Sequence, residues 1–331
     1  MKTRNVWILA ALLCGQIGVQ AQEALPKEVK VGKERIKARH EICLPQIDDY
    51  QLLKCDFHIH TIFSDGIVWP SLRVQEAWEE GLDAIAITDH IEGQPARRGL
   101  QTGNHNYSFD AAREEAFRRN IILIKGGEIT RSMPPGHLNA LFVEDLNVLD
   151  QKDYMKAIEE AHNQGAFIQW NHPGWGVNEI KWHDVHDVIE RLYDFQTTTH
   201  RPMTLVLAKE RTEEGIKDAL FNRRTMVYFY DNLMGKKEYL DKFFWGAVQV
   251  SPVYYSSEKR NYLEIKNSSD VPFRLKKVDK ARKGYPERIE IPVRQSVTVV
   301  LSKDDNNTGK VQYEVENLIV SPREKLQVAL F

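Results

Sequence analysis

Between Lys54 and residue 235, short apolar runs rich in β-branched side chains alternate with stretches of helical periodicity, and this alternation is the strongest constraint on the fold. The runs predict strands over residues 54–60, 84–88, 121–126, 138–143, 166–170, 204–208 and 225–229. Helices are expected between them, over 71–80, 109–120, 152–164, 182–193 and 212–222. Such alternation places helices against a parallel sheet, so the expected fold class is α/β. Beyond residue 243 the pattern changes. Strand-like runs over 262–266, 273–278, 288–292, 296–301, 311–315 and 325–330 are separated by turn-formers such as Asn267-Ser268-Ser269-Asp270 and Asp304-Asp305-Asn306-Asn307. The expected organisation is an α/β barrel over 51–244 and a small all-β domain over 245–331, preceded by a polar lead-in over 22–50.

Histidines and carboxylates gather where these runs begin and end. In Asp56-Phe57-His58-Ile59-His60, alternate residues of a strand share a face, so His58 and His60 point one way while Phe57 and Ile59 pack on the other. Two neutral imidazoles side by side suit a divalent ion, and Asp65, in the turn that follows, adds a carboxylate. The run 84–88 leads into Asp89-His90, and 121–126 leads into Gly127-Glu128. Gly136-His137 opens the run 138–143, and 166–170 leads into Asn171-His172-Pro173-Gly174. In a parallel barrel the strand C-termini converge on one face, where active sites are built. Groups over a hundred residues apart can therefore meet.

Taken in order, His58-Ile59-His60, Ser64-Asp65-Gly66, Thr88-Asp89-His90, Gly126-Gly127-Glu128, Gly136-His137 and Asn171-His172-Pro173-Gly174 resemble the PHP (polymerase and histidinol phosphatase) family, over roughly residues 52–235. The resemblance implies a distorted (β/α)7 barrel that holds two or three Zn, Mn or Fe ions and hydrolyses phosphate esters. It implies His58, His60, Asp65, His90, Glu128, His137 and His172 as metal ligands, with Glu128 bridging. Asp89 would orient a ligand from behind, and Arg131, in the loop after Glu128, would hold a phosphate oxygen; Glu128, Asp89 and Arg131 form the expected catalytic set. The secreted setting and the β-rich C-terminal part look closest to exported phosphodiesterase-like members. The implied reaction is attack of a metal-bound hydroxide on a small phosphate ester, a phosphodiester first.

One family element has no counterpart in a strand. Family members carry a late Asp-x-His pair at a strand end, whereas here the stretch from His172 to His200 reads as one helix and a polar turn. Asp184-Val185-His186 fits the letters but falls on that helical stretch. One strand–helix unit of the barrel is therefore expected to be missing, which leaves the third ion and the closure of the barrel open. Arg97, Arg98 and Arg201 are weaker phosphate candidates. His200 precedes an apolar run and is expected to face away from the ions; Tyr254 and Tyr255 are expected in the C-terminal core. Two other readings stay open: a metal-dependent hydrolase of the amidohydrolase type, for whose bridging lysine Lys125 is a poor match, and a non-catalytic exported binding protein with a degenerate barrel.

At the N-terminus, Lys2 and Arg4 precede an apolar run over 6–14 and then small residues up to Ala21, the pattern of a secretory signal peptide over 1–21. Export to a periplasm or beyond is expected. With 45 basic against 47 acidic residues, the chain lacks the basic excess of a dedicated nucleic-acid binder. Three cysteines exclude a disulfide framework, and no apolar run is long enough to span a bilayer. The partner of the C-terminal domain is not indicated.

Overall fold

The computed structural model describes residues 28–31, 34–92, 103–172, 200–303 and 309–331. The N-terminal unit contains an antiparallel hairpin of β1 (Glu28–Val31) and β2 (Glu34–Lys37). The described residues from Arg39 on form one compact unit.

The organising strand of that unit is β3 (Gln51–Ile59). Leu53, Cys55, Phe57 and Ile59 are buried, while the intervening Lys54, Asp56 and His58 are only partly so, as its period-two pattern predicts. β3 pairs in parallel with β4 (Ala84–Ile87), which pairs in parallel with β5 (Ile122–Ile129). β4 is buried along its whole length because helices cover both faces of the sheet here. Val74 and Ala77 of helix Pro70–Glu79, with Ala112 and Ala116 of helix Tyr107–Arg119, share one core cluster with Ile85 and Ile87. Ile216, Ala219 and Leu220 of helix Glu213–Phe221 share another with Ala84, Ala86 and Cys55.

The sheet is mixed rather than parallel, which corrects the sequence expectation. β6 (Leu138–Leu141) runs antiparallel to β5, β7 (Phe167–Trp170) antiparallel to β6, and β8 (Met203–Ala208) antiparallel to β3. A parallel connection needs a crossover of a dozen or more residues. The loop 130–137 is too short for one, so the chain turns straight back. This reversal keeps the site together: the start of β6 lies at the same edge as the ends of β5 and β7. Among the described residues the sheet does not close on itself, and β7 is its last strand.

On the other side of β8 the order continues through β9 (Thr225–Phe229) and β10 (Asn232–Gly235). Their hairpin turns on Tyr230 and Asp231, with φ of 47° and 60°, the left-handed pair that matches strand twist. Helix Lys237–Ala247 follows, burying Leu240, Phe243, Phe244 and Ala247. The next strands are β11 (Val248–Val250), β12 (Tyr255–Ser256), β13 (Arg260–Asn267), β14 (Phe273–Lys277), β15 (Arg288–Ile291), β16 (Ser296–Ser302), β17 (Val311–Ser321) and β18 (Glu324–Leu330). β11, β12, β13 and β16 form a separate four-stranded sheet. β14, β15, β17 and β18 instead join the large sheet, through a parallel pairing of β10 with β17. The expected all-β character is present, and its core runs on into the α/β core through Phe244 and Phe273.

Two expectations change in this region. Tyr254 and Tyr255 are 62% and 58% exposed, not in the core: they lie on or beside the short edge strand β12, which pairs on one side with β13. Residues 39–50 are more than a lead-in: Ile42 and Ile47 are buried in the core, and the Cys43 amide donates to Asp270 over 2.8 Å.

Candidate metal centre

Five strand ends deliver side chains to one place, and Glu128 is at its middle. Glu128 is fully buried. Its Oε1 lies 3.4 Å from His58 Nε2, 3.1 Å from His137 Nδ1 and 3.7 Å from His172 Nε2. Its Oε2 lies 3.2 Å from His60 Nε2 and 2.8 Å from His90 Nδ1. The five imidazoles form a closed circuit, with centroid separations of 4.9 Å (His58–His60), 4.5 Å (His60–His90), 5.5 Å (His90–His137), 4.8 Å (His137–His172) and 5.7 Å (His172–His58). Asp65 joins from the loop after β3, 2.6 Å from His60 Nδ1 and 3.5 Å from His90 Nε2. All seven side chains expected as ligands are therefore gathered together.

The backbone that achieves this departs from ideal geometry. The β3–β4 register shifts between Asp56 and Ile59, a bulge that re-aims the end of β3. Asp56 accepts the His58 amide over 3.1 Å and is tied to Arg201. His90 and Glu128 form an isolated bridge beyond β4. His172 takes a φ of 26°, a region that side-chain-bearing residues seldom enter.

The donors overlap in three groups: His58, Glu128 and His172; His60, Asp65 and His90; and His90, Glu128 and His137. Within each group the ligand atoms all lie within 4.8 Å of one another. Two further observations fit cations here. Glu128 Oε2 is buried and makes no aligned hydrogen bond, despite the two nitrogens beside it. His58 Nε2 and His60 Nε2 face each other at 3.1 Å. Imidazole and carboxylate donors suit zinc, manganese and iron.

The charges respond to this crowding. Burial favours the neutral acid at Glu128, but the imidazoles of His58, His60 and His90, with Asn171, outweigh it and hold the carboxyl far below its ordinary range. Burial also opposes a charge on His60, yet Glu128 and Asp65 lift its pKa to about 8. At His172, burial and then His137 lower the pKa.

The residues expected to act from behind are tied down as follows. The buried Asp89 accepts the Thr61 amide, the Thr61 hydroxyl and the Ser64 hydroxyl, each at 2.6 Å, so it braces the loop that carries Asp65. Arg131 pairs with Glu92 and donates to the carbonyls of Thr130 (2.7 Å) and Gln151 (2.6 Å), which leaves it bracing its own loop. Glu92 also accepts the Thr130 amide over 2.7 Å, and the Thr130 hydroxyl meets His90 Nδ1.

Because β8 is antiparallel, His200, just ahead of it, lies at the site edge, but its ring turns to His40 (4.9 Å) and Tyr228 (5.9 Å), away from the cluster. Lys125 donates to the Glu144 carbonyl over 2.8 Å, which takes it away from a bridging role. His105 lies 3.6 Å from Asp150, and His162 is in the last turn of helix Tyr154–Asn163. Arg97, Arg98, Pro173, Gly174, His183 and Asp184-Val185-His186 lie outside the described residues.

Sequence reasoning gave no role to Asn171, Asn139, Thr130 or Glu92. Asn171 Nδ2 donates to Glu128 Oε1 over 2.9 Å and to Asn139 Oδ1 over 2.7 Å. Its position just before His172 was the only available signal.

Comparison with known proteins gives a consistent result. Residues 56–235 match the PHP domain, and residues 248–331 match an Ig-like domain. A two-domain protein from Bacteroides vulgatus ATCC 8482, described as containing a predicted PHP-like metal-dependent phosphoesterase, has a TM-score of 0.80 and 38% identity, covering 89% of this chain and 99% of its own. An amidohydrolase from Chromobacterium violaceum has 23% identity and a TM-score of 0.23, over 28% of each chain. A candidate metal-dependent phosphoesterase from Bifidobacterium adolescentis ATCC 15703 has 20% identity and the same TM-score of 0.23, over 58% of this chain and 50% of its own. Scores that low say nothing about this chain. No curated protein matches. With the domain match spanning more than half of the sequence and the Bacteroides relative aligned along nearly all of it, the chain belongs to the PHP domain family.

Proposed function

We propose that this chain hydrolyses phosphate esters, phosphodiesters first, with two or three divalent cations of the zinc, manganese or iron type. The observation that carries this reading is Glu128, a buried carboxyl group ringed by five imidazoles, with one oxygen free of aligned hydrogen bonds. The description of the Bacteroides relative supports the same reaction class.

When bound, such ions activate water for attack on phosphorus and neutralise charge on the phosphoryl oxygens. The protein supplies the geometry. His58 and His172 would hold one position with Glu128, His60 and Asp65 a second with His90, and His137 a third with Glu128 and His90. Glu128 is shared by the first and third positions and His90 by the second and third, so these two side chains would set their spacing. Asp89 keeps Asp65 at the outer side by anchoring Thr61 and Ser64. In the reaction the water oxygen bonds to phosphorus, the ester P–O bond breaks, and the alcohol leaves with a proton. The N-terminal pattern supports export of the chain.

The test is elemental analysis of the purified protein, followed by assays on bis(4-nitrophenyl) phosphate, 4-nitrophenyl phosphate and 4-nitroacetanilide. Close to two or more equivalents of metal, with turnover of a phosphate ester that chelator abolishes, is expected. A metal-free chain with no turnover, or turnover of the amide alone, would overturn the reading.

A further inference from the structure

The loop between β3 and helix Pro70–Glu79 presents more than a ligand. Asp65 faces His60 and His90. Phe63, two residues earlier, is buried and lines a small cavity with Asp89 and His90. Its ring meets Trp69 at 5.4 Å and Tyr107 at 5.0 Å, with planes inclined by 59° and 65°. Trp69 and Tyr107 nevertheless remain 38% and 41% exposed, and Ile67, between Asp65 and Trp69, is 78% exposed.

Single exposed apolar side chains are ordinary, whereas a contiguous group at the rim of a polar site marks a binding surface. This group is also held in place. Asp89 anchors Thr61 and Ser64, and the Ile62 amide donates to the Val68 carbonyl over 3.1 Å. Gly66 packs so closely on the main chain of His60 and Thr61 that a Cβ would come within 2.8 Å of it. The aromatic face and Asp65 are therefore fixed relative to each other.

Charge narrows what such a face could receive. Arg73 donates to the His60 carbonyl and to Glu76. Arg131 is held by Glu92 and two carbonyls, and Arg201 by Asp56. These three arginines are already committed within the protein, so a second anionic group on a substrate gains no cation from them. A flat neutral ring, by contrast, gains both apolar burial and edge-to-face contact.

We infer that Trp69 and Tyr107, backed by Phe63, form the subsite for an uncharged aromatic group carried on a phosphate ester, so that the site prefers aryl to small alkyl phosphorus compounds. The inference rests on the phosphoesterase reading for the position of the phosphoryl group, at the histidine cluster, with the ring laid against Trp69 and Tyr107.

The test is calorimetric titration of the full chain, in the presence of Mn²⁺, with phenylphosphonate and with methylphosphonate, neither of which carries an ester bond. Phenylphosphonate should bind about tenfold more tightly. Trp69→Ala and Tyr107→Ala should each reduce that ratio, the double variant should bring it to within about twofold of unity, and Tyr107→Phe should keep it. Should Trp69→Ala fail to fold, Tyr107→Ala and Tyr107→Ser, at the exposed start of a helix, still decide the matter. Equal affinities in the wild type, no binding of either compound, or a ratio unmoved in the folded variants would overturn the inference. The phosphonate preference without turnover of any phosphate ester would sink the phosphoesterase reading and leave the subsite standing. Turnover without the preference would do the reverse.

Discussion

Asn171 spends both hydrogens of its side-chain amide inward, one on Glu128 Oε1 at 2.9 Å and one on Asn139 Oδ1 at 2.7 Å. Asn139 in turn donates to the Phe57 carbonyl over 2.9 Å. The carboxylate at the middle of the histidine circuit is thus tied, through two amides, to the strand that carries His58. Losing a residue that orients a metal-binding group from behind usually costs about ten- to hundredfold in metal affinity. Asn171→Ala should weaken metal binding by about that factor. It should also lower stability by about 1–3 kcal/mol, because Glu128 and Asn139 lose a buried donor. Competition against a chelator of known affinity, with a melting curve, checks both. An unchanged affinity would show that Glu128 does not depend on this support.

Removal of the central donors should have a larger effect on metal than on fold. Glu128→Ala and His58→Ala should each take phosphate-ester turnover to background and lower the metal content. Their far-ultraviolet circular dichroism should stay close to wild type, because the core packs on the other face of β3, at Leu53, Cys55 and Phe57. Full activity in either variant would refute the assignment.

The positions of the clustered side chains are legible where a residue's face follows from a simple period. His58 alternates with Phe57 and Ile59 on a half-buried strand, so its side could be read directly. Strand direction has no such signature. The parallel expectation failed at β6 and β8, yet His137 still reached the cluster, because a reversed strand presents its first residue where its neighbours present their last. Helix Lys237–Ala247 is not among the helices expected from the sequence, although Leu240, Phe243, Phe244 and Ala247 fall at helical spacing. Asn171, Thr130 and Glu92 were not legible in their roles, since a polar side chain that serves another side chain follows no repeat. The exposure of Tyr254 and Tyr255 is not legible, because an edge strand as short as β12 has too little alternation to show which side is covered.

Asp270 supplies a pH dependence remote from the cluster. Burial raises its pKa, but Arg294, followed by the Cys43 amide, outweighs burial and holds the carboxyl below the ordinary carboxylate range. A depressed folded pKa contributes stability that is fully present above the unfolded value, about 4, and is lost as pH falls through the folded value. Wild-type stability should therefore decline on acidification below about pH 4–5, and Asp270→Asn should flatten that part of the curve. At neutral pH the variant should be less stable by about 1–3 kcal/mol, the usual cost of a lost charge-assisted hydrogen bond. Urea midpoints across the pH range test this; parallel curves for the two proteins would be the contrary result.

Asp65 and Asp89 should affect the same metal position by different routes. Asp65, whose own side chain is exposed, approaches His60 and His90 directly, so Asp65→Ala should remove one ligand at little cost in stability. Asp89 makes no such approach; it takes two hydrogen bonds from Thr61 and one from Ser64, all at 2.6 Å and all buried. Asp89→Ala strands those donors, and each unpaired buried donor costs about 1–3 kcal/mol. The loop should loosen and Asp65 should no longer be held beside the histidines. Both variants are expected to bind less metal than the wild type, while the position made by His58, Glu128 and His172 stays filled. Only Asp89→Ala should also melt several degrees lower. Metal stoichiometry and melting temperature, measured on the same samples, separate the two routes. An Asp89→Ala protein with wild-type melting and full metal content would show that the loop holds its shape without the carboxylate.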